Sequence, residues 1–503
     1  MTRWRYPALA FLTGGAVTVF EFAAPNLFRA YFGQTTYVWA NVIGVILAAL
    51  ATGYAVGGRW ADGTRTSLPL FGVLTASGLY ALLVGALGPA VCLWLSGPEE
   101  YPQDAGLNAF IAQSLAASLL LFGPPLIALG MATPLLVERA SHHWPVGRAS
   151  GLVFAVGTAG SLSGIYLTQF LLVPKAGVHA TITGAAGVLL LLGVLGLIRA
   201  GRRRSAPPLL LALLLVPFHL APAWDALPPK GSRLLVAIES PYQLVRVIDR
   251  PPDGQGRVQR WLAFDECMGS FHSMMVDEAT GKTGAYYDAF VAVPEWVGAR
   301  GPLRLCIVGN AAGTMVRLLQ LHHDEELLEI DAVEIDPAVT EASRRAMGLR
   351  DHPRVRLHHE DGRTFLRRQP EGRYDAILLD AYARQVSIPA ALSTREFFAL
   401  AKRRLKAEGL LFVNLGALRA GGPLVRALAD TIAAGFEAPV YRCPLHEQSN
   451  VMLVAGRGAV PPPPPGTPLL VPWSFALHLP GDSVLTDDFC PIEALTMRDL
   501  RLE

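Results

Sequence analysis

Acidic and glycine residues in the C-terminal half have the types and the order needed to hold a nucleoside. They share one placement, directly at the end of a predicted β-strand: the turn Gly309-Asn310-Ala311-Ala312-Gly313, then Glu334, Ile335 and Asp336, then Asp361 and Gly362, and then Asp380. A glycine turn lets the backbone approach a ligand closely, and a carboxylate about 20 residues further on can accept both ribose hydroxyls. Glu334 stands 21 positions after Gly313.

The same acids also allow a purely structural interpretation, because an acid after a strand often caps the next helix. That role is reasonable for any one acid but is not expected of Glu334, Asp361 and Asp380 together. The dinucleotide spacing G-x-G-x-x-G is missing from the turn. Its absence disfavours NAD and favours an adenosyl ligand without a pyrophosphate.

Strand and helix patterns must place these residues at one edge of a sheet. The alternation is typical of a parallel α/β sheet, on which ligands lie beyond the carboxyl ends of the strands. An antiparallel β-unit is predicted before it, with segments 234–238, 243–249 and 258–264. The predicted elements that follow are a helix over 283–298, a helix over 314–321, and strands 303–308, 329–335, 355–358, 374–379 and 410–414.

The first 225 residues have the composition of a membrane domain. Hydrophobic residues make up 51% of the chain and charged residues 17%, against roughly 25% charged in soluble domains. A helix that crosses a bilayer needs about 20 apolar residues. The candidate spans are 7–30, 37–57, 68–97, 109–137, 150–173 and 178–199, with a weaker seventh at 208–224.

Basic residues between the spans predict the orientation. Arg59, Arg139 and the run Arg202-Arg203-Arg204 lie on one side, and Glu99 and Asp104 lie on the other. The positive-inside rule places the N-terminus and the basic loops in the cytoplasm of an inner-membrane, multi-pass protein. Six spans keep the C-terminal domain in the cytoplasm and a seventh would export it. The cytoplasm is favoured, because an adenosyl ligand is made there.

One intramembrane carboxylate, Glu21, leaves two interpretations open. It can mark a substrate or proton path, or it can hold two helices together. Residues 53–65 resemble the loop between the second and third helices of major-facilitator transporters. Six spans are only half of such a transporter, which argues against complete transport machinery.

Metal, disulfide and nucleic-acid chemistry are not predicted. The five cysteines are far apart and lack CxxC or Cys/His spacing, so unpaired thiols are expected. The basic run 202–204 lies beside an apolar segment and fits membrane topology better than a nucleic-acid surface. The predicted partners are therefore a small-molecule substrate and the lipid bilayer, without a metal. The oligomeric state is left open, and a homo-oligomer is allowed.

Composition and pattern divide the chain into four regions. They are a transmembrane domain over 1–225, the β-unit over 232–282, a Rossmann-like domain over 283–460 and a C-terminal tail over 461–503. The tail begins with five consecutive prolines, a stiff extended segment. Asp487 and Asp488 in the tail fit a solvated turn better than a place in the site.

At these residues the chain resembles the spermidine synthase (aminopropyltransferase) family, and in particular its membrane-fused bacterial relatives. The matching stretches lie between about Glu239 and Gly416: Glu239-Ser240-Pro241-Tyr242-Gln243, Asp265 and Ser270, Tyr286-Tyr287-Asp288, Val333-Glu334-Ile335-Asp336, Asp361-Gly362 and Asp380. The resemblance implies a multi-pass α-helical membrane domain joined to a Rossmann-like domain of the methyltransferase/spermidine synthase type. It further implies that S-adenosylmethionine, or its decarboxylated form, is the substrate, with no additional cofactor.

The resemblance also implies roles for single residues. Gln243 and Glu334 correspond to ribose contacts, and Asp361 corresponds to the acceptor of the adenine amino group. The remaining positions implied for the ligand are Tyr242, Gly309, Asn310, Gly313, Ile335, Asp336 and Gly362. The positions implied for catalysis are Tyr286, Asp288, Asp380 and Tyr382, with the two tyrosines beside the sulfonium.

Two positions depart from the family pattern. Alanine stands at 312, where the family turn G-G-G-D-G has its acid, and at 383, where the family's D-x-x-D has its second acid. In the family that second acid deprotonates the attacking amine, and amine attack needs such a base. The loss of both acids argues against ordinary spermidine synthesis.

Three functions are compatible with these residues. The first is a lyase, in which the carboxylate of S-adenosylmethionine attacks its own γ-carbon and gives methylthioadenosine and homoserine lactone without an external base. The second, ranked close behind, is transfer of an aminopropyl or aminocarboxypropyl group to an acceptor. The third is a transporter or sensor whose nucleotide-binding domain is not catalytic.

Overall fold

The computed structural model describes residues 4–32, 36–63, 66–96, 107–200, 231–254, 256–264, 271–276, 280–298, 301–382, 388–416, 421–445, 450–464 and 484–499. Contacts divide the chain into two compact units. The first, which we call the helical unit, is Met1–Leu227 with Glu239–Gln243. The second, which we call the sheet unit, is Pro228–Ile238 with Leu244–Glu503.

The helical unit consists of long apolar helices. They are α1 (Arg5–Phe32), α2 (Thr36–Asp62), α3 (Leu68–Ser96), α4 (Leu107–Ser141), α5 (Val146–Leu167) and α6 (Val173–Arg199), the last two joined by a π-helical segment, Thr168–Leu172. Five helices in the described part of the chain are long and apolar enough to cross a membrane, when Val146–Arg199 is counted as one of 54 residues.

The last two predicted spans form one continuous segment in the structure. The spans 150–173 and 178–199 lie within the single segment Val146–Arg199, which departs from helical geometry at Gly177, with φ +80° and ψ 169°. A glycine can adopt that backbone conformation without a steric penalty. The weak candidate 208–224 lies outside the described residues.

Small residues set the distance between α1 and α5. A side chain on Gly160 would collide with the backbone of Phe11, and one on Gly164 would collide with Gly15 and Thr18. The hydroxyl of Thr18 donates to the carbonyl oxygen of Ser161 at 2.9 Å. Close backbone approach of this kind is typical of helices that pack in lipid.

In the sheet unit, a small antiparallel sheet comes first. Its strands are β1 (Arg233–Glu239), β2 (Leu244–Asp249), β3 (Arg260–Phe264) and β4 (Ser273–Met275), in the order β1-β2-β3-β4. Strand β4 was not predicted, because three residues are too few to show an alternating pattern. One face of β2 and β3, with Val245 and Leu262, packs against Ala312 and Val339 of the larger domain.

The larger sheet has the predicted Rossmann-like core. Its strands are β5 (Leu303–Val308), β6 (Leu328–Val333), β7 (Val355–His358), β8 (Tyr374–Leu379), β9 (Leu405–Gly416), β10 (Tyr441–Leu445) and β11 (Asn450–Gly456), in the order β10-β11-β9-β8-β5-β6-β7. Strands β5 to β9 are parallel, and β11 and β10 add antiparallel edge strands. The strand order reverses direction at β5, which is where open α/β sheets bind ligands.

Short helices connect the strands of this sheet. They are α7 (Val293–Val297), α8 (Thr314–His322), α9 (Pro337–Ala342), α10 (Gly362–Arg368), α11 (Arg395–Arg404), α12 (Pro423–Phe436) and α13 (Ile492–Asp499). The predicted helix over 283–298 is instead a 3₁₀ segment, Tyr286–Ala292, followed by α7. The predicted strand 329–335 ends at Val333, so Glu334 and Asp336 follow it.

A buried carboxylate joins three strands of the sheet. Asp331 on β6 is 5% exposed and accepts hydrogen bonds from His358 at 2.9 Å, Arg373 at 3.0 Å and Tyr374 at 2.9 Å. Burial raises the pKa of Asp331, but the three hydrogen bonds together bring it below its usual value. The ionised carboxylate therefore stabilises the fold above the unfolded-state pKa of about 3.9, and this contribution is lost as pH falls through the folded-state pKa.

We expect Asp331→Asn to lower the free energy of unfolding of the sheet unit by about 1–3 kcal/mol, because an amide cannot replace all three acceptor contacts. Hydrogen exchange of the β6 and β8 amides in the full-length protein measures the change. Glu341→Gln is the control, since the ion pair of Glu341 with Arg345 is exposed and contributes less than about 1 kcal/mol. Equal protection in wild type and Asp331→Asn would contradict the prediction.

Candidate active site

The candidate site begins with the glycine turn between β5 and α8. The amides of Gly309 and Asn310 both donate to the carbonyl oxygen of Val333, at 2.9 and 3.0 Å, which fixes the turn against the end of β6. Gly309 has φ +91°, and a Cβ there would collide with the backbone of Asp380. Only glycine lets the turn approach β8 this closely.

Glu334 follows β6 and faces this turn. Its carboxylate is 8% exposed and accepts from the backbone N–H groups of Ala311 at 3.0 Å and Asp336 at 3.1 Å. Burial raises the pKa of Glu334 to about 7, although these backbone hydrogen bonds oppose the increase. Ala311 lies at φ +46°, a conformation that non-glycine residues rarely adopt. The turn is therefore fixed around a carboxylate that titrates near neutral pH.

Two further acids near the strand ends, Asp336 and Asp361, cap helices. Asp336 accepts from the Ala338 amide at 2.9 Å and begins α9, and Asp361 accepts from the Thr364 amide at 2.8 Å and begins α10. The structural role considered from the sequence thus applies to Asp361 but not to Glu334. The proposed contact of Asp361 with adenine stays a prediction. A side chain on Gly362 would collide with Val308, so glycine is needed where α10 passes β5.

Asp380 at the end of β8 is the acid with the most extensive side-chain network in the site. Its Oδ1 accepts from Asn414 Nδ2 at 2.7 Å, and its Oδ2 accepts from the Tyr286 hydroxyl at 3.0 Å. Asn414 in turn accepts from Asn450 Nδ2 at 3.0 Å. Burial of the carboxylate raises the pKa of Asp380 to about 6, although hydrogen bonds from Asn414 and Tyr286 oppose the increase.

The tyrosines predicted beside the sulfonium are brought together at Asp380. The rings of Tyr286 and Tyr287 lie 4.0 Å apart, and Tyr286 contacts Asp380 directly. The Tyr382 hydroxyl donates to the Asn414 carbonyl oxygen at 2.8 Å and accepts from the Gly416 amide at 2.7 Å. Burial raises the pKa values of Tyr286 and Tyr382 well above 10, so both remain protonated donors at neutral pH.

Asp288 is placed differently from the other predicted catalytic residues. Its carboxylate accepts from the Thr283 amide at 2.9 Å, the Thr283 hydroxyl at 3.0 Å and the Gly284 amide at 3.0 Å. These contacts hold the turn that precedes the 3₁₀ segment carrying Tyr286. In the structure Asp288 therefore supports Tyr286, and direct participation in catalysis stays a prediction.

The predicted ligand contacts of Tyr242, Gln243 and Ile335 stay predictions. Tyr242 and Gln243 belong to the helical unit, where their amides donate to the Ser240 hydroxyl at 3.1 and 3.0 Å. Ile335 follows Glu334 and is exposed. Asp265, Ser270 and Ala383 lie outside the described residues.

The tail acid Asp487 has a structural partner. It forms a two-point contact with Arg363, at 2.7 and 2.6 Å, and accepts from the Thr394 hydroxyl at 2.7 Å. These contacts fasten the tail to α10 and α11.

In the described ranges, no group of three His, Cys, Asp or Glu residues could hold a metal ion. Cys92, Cys306, Cys443 and Cys490 are free thiols, and Cys267 is not described.

The sequence missed Asn414 and Asn450. Asn414 is 1% exposed within the apolar strand β9, and it is the donor that orients Asp380. A buried amide in the run Leu-Leu-Phe-Val-Asn-Leu was a usable signal, because buried polar side chains are rarely left without a partner. Asn450 lies on β11, an antiparallel strand that was not predicted.

Comparisons with known proteins find similar sequences among aminopropyltransferases. Residues 289–443 match the family model of the spermine/spermidine synthase domain. The probable polyamine aminopropyl transferase of Bifidobacterium longum is 33% identical over 158 residues, 31% of this chain and 33% of that protein. Polyamine aminopropyltransferase 2 of Streptomyces coelicolor is 27% identical over 475 residues, 88% of this chain and 77% of that protein.

The crystal structure of a probable spermidine synthase from Corynebacterium glutamicum is 19% identical, with a TM-score of 0.36 over 45% of this chain and 80% of that chain. The present chain aligns with about a third of the Bifidobacterium relative's length. Residues 289–443 thus match the model of the spermine/spermidine synthase domain, the chain has polyamine aminopropyltransferase homologues, and an additional helical region precedes the matched residues.

The contact of Glu334 with ribose stays a prediction. If Glu334 makes that contact, the affinity for methylthioadenosine should fall as pH drops below about 7, because a protonated carboxyl group is a weaker acceptor for hydroxyl groups than a carboxylate. Glu334→Gln should weaken binding roughly tenfold or more and remove this pH dependence, since a hydrogen bond to a charged group contributes about 1.5–3 kcal/mol. Calorimetry on the full-length protein between pH 6 and 8 measures both effects.

Glu329→Gln is the matched control for this experiment. Glu329 lies near the amino end of β6, whereas Glu334 follows the carboxyl end of the same strand. Glu329 forms an ion pair with Arg304 at 3.2 Å. Its replacement should leave the affinity unchanged. A wild-type affinity that is flat across this pH range would contradict the role assigned to Glu334.

Proposed function

We propose that the sheet unit transfers an aminopropyl or aminocarboxypropyl group from an adenosyl sulfonium to an amine acceptor and releases methylthioadenosine. The observation that carries this proposal is Asp380, a part-buried carboxylate with a pKa raised to about 6 that is held by Tyr286 and Asn414. A general base is most effective when its pKa lies near the working pH. The polyamine aminopropyltransferase homologues support the same class of reaction.

In this reaction the amine nitrogen attacks the carbon bonded to sulfur, and the carbon–sulfur bond breaks. The electron pair stays on sulfur, which turns the sulfonium into the neutral thioether of methylthioadenosine. The acceptor is an ammonium in water and must lose a proton before or during attack. Asp380 attracts the ammonium while ionised and then takes that proton, and the Tyr286 hydroxyl stabilises the carboxylate in its ionised form.

In the family pattern, several acids share the binding and deprotonation of the amine. In this chain Asp380 would perform both tasks alone. Position 312 is a buried alanine, and position 383 is also alanine. With those acids missing, an acceptor with two cationic ends, such as a free diamine, has fewer anionic partners than in the family pattern. The proposal therefore favours an acceptor that presents one amine to Asp380.

The lyase reaction is the second candidate, and the alanines at 312 and 383 are the observation that favours it. The carboxylate oxygen of S-adenosylmethionine would attack its own γ-carbon, break the same carbon–sulfur bond and leave homoserine lactone. No proton changes place, so no base is needed. Proximity within a folded ligand can supply much of the rate.

We also propose that the helical unit anchors the protein in the inner membrane as a multi-pass domain. Five helices in the described residues are long and apolar enough to cross it. The basic residues Arg59 and Arg139 near the ends of α2 and α4 support a cytoplasmic position for those helix ends. The sheet unit would then meet S-adenosylmethionine where it is made.

The test uses purified full-length protein in detergent, with S-adenosylmethionine or its decarboxylated form, each with and without an amine. Methylthioadenosine is measured by chromatography. Product that requires the amine supports transfer, and product from S-adenosylmethionine alone supports the lyase. The absence of methylthioadenosine under all four conditions would overturn both.

We expect Asp380→Asn to lower the amine-dependent rate roughly 10²–10⁴-fold, the usual contribution of a positioned base. The wild-type rate should fall as pH drops below about 6, because protonation removes the base. Asp375→Asn is the matched control. Asp375 lies on the same strand near its amino end and pairs with Lys406 at 2.7 Å, so its replacement should leave the rate unchanged. Equal rates in both variants would exclude Asp380 as the base.

A further inference from the structure

The glycine turn contains a buried amide that the proposed reaction leaves unused. Asn310 is 3% exposed, and neither its Oδ1 nor its Nδ2 has a hydrogen-bond partner among the described residues. A buried amide without partners is unfavourable, and such groups in native proteins usually have a ligand, water or functional role. Glycine stands at this position in the related turn, so the side chain is an addition of this chain.

Asn310 lies at the N-terminus of a helix. Its carbonyl oxygen accepts from the Gly313 amide at 2.8 Å, and its Nδ2 lies 3.8 Å from the point that a Cβ on Gly313 would occupy. Gly313 is the N-cap of α8, a helix of nine residues, and no side chain caps it. The first turn of a helix carries partial positive charge and exposes N–H groups, which together favour an anion.

The turn lacks the carboxylate that the family pattern places in it. The family acid at position 312 is an alanine, 5% exposed, so no carboxylate occupies the position directly before Gly313. The carboxylate of Glu334 is bonded to the amides of Ala311 and Asp336. That of Asp380 is bonded to Tyr286 and Asn414. A negative group bound beside Asn310 therefore meets a donor amide and a helix N-terminus.

We infer that Asn310 and the N-terminus of α8 bind the α-carboxylate of the sulfonium substrate. The substrate is then S-adenosylmethionine itself rather than its decarboxylated form, and the group that moves is 3-amino-3-carboxypropyl. Asn310 Nδ2 donates to the carboxylate, and Oδ1 can accept from the adjacent α-ammonium, which satisfies both ends of the buried amide. The inference rests on the proposed function and makes Asn310 a specificity-determining residue of that site.

The first measurement compares S-adenosylmethionine with its decarboxylated form in the full-length protein, by calorimetric affinity and by the rate of methylthioadenosine release. Wild type should prefer S-adenosylmethionine at least about tenfold, the effect of one hydrogen bond to a charged group. Asn310→Gly should remove most of that preference. Its affinity for methylthioadenosine should stay within about twofold, because this product lacks the amino-acid tail and its carboxylate.

Asn310→Asp keeps the shape of the side chain and places a negative charge beside the substrate carboxylate. It should reverse the preference towards the decarboxylated form, so it tests the inference even if Asn310→Gly fails to fold. Ala312→Gly is the control, because it alters the same turn but changes neither a charge nor a side-chain hydrogen bond. It should keep the wild-type preference.

The outcomes separate the inference from the proposed function. A wild type that prefers the decarboxylated form, or that does not discriminate, overturns the inference while the proposed function stands. An unchanged preference in an Asn310→Gly variant that still binds methylthioadenosine overturns it as well. If wild type neither binds methylthioadenosine nor releases it from either sulfonium, the proposed function itself has failed.

Discussion

The site depends on the withdrawal of two carboxylates from water at the carboxyl ends of parallel strands. A carboxylate placed in a less polar environment becomes harder to ionise, and this raises the pKa of Glu334 to about 7 and that of Asp380 to about 6. Backbone amides support the first acid, and the side chains of Asn414 on β9 and Tyr286 on the 3₁₀ segment support the second. Their surroundings therefore differ, as is typical of paired titratable groups that have separate roles in a site.

The glycine turn lets the chain after β5 pass close to the end of β8. Gly309 passes the backbone of Asp380 without room for a Cβ, and its amide is bonded to Val333 at the end of β6. The turn thus links the ends of β5, β6 and β8. Ala311 has φ +46°, so the turn adopts this backbone conformation without glycine at that position. The Ala311 amide donates a hydrogen bond to the carboxylate of Glu334.

Sequence reasoning was most successful where a strand is a continuous apolar run. The bounds of β5, β7 and β8 agree with the prediction, because both faces of these strands are covered and turn residues follow. It was weaker where patterns are short or antiparallel, as for β4, β10 and β11. Glu334 and Asp380 could be predicted because each directly follows an apolar strand run, at the end of the strand where α/β sheets bind ligands. The amide of Asn414 was a usable signal within an apolar run, but its contact with Asp380 could not be predicted, since the two residues are 34 positions apart in the chain.

The amides beyond Asp380 determine which of its oxygens can carry a proton. Asn414 accepts from Asn450 through Oδ1, so its Nδ2 must face Asp380 and donate to Oδ1 of that carboxylate. A proton on that same oxygen would meet the Asn414 donor. The proton therefore resides on Oδ2, beside the Tyr286 hydroxyl, which can turn from donor to acceptor as Asp380 is protonated. A chain of two asparagines thus gives a single carboxylate a defined proton-accepting side.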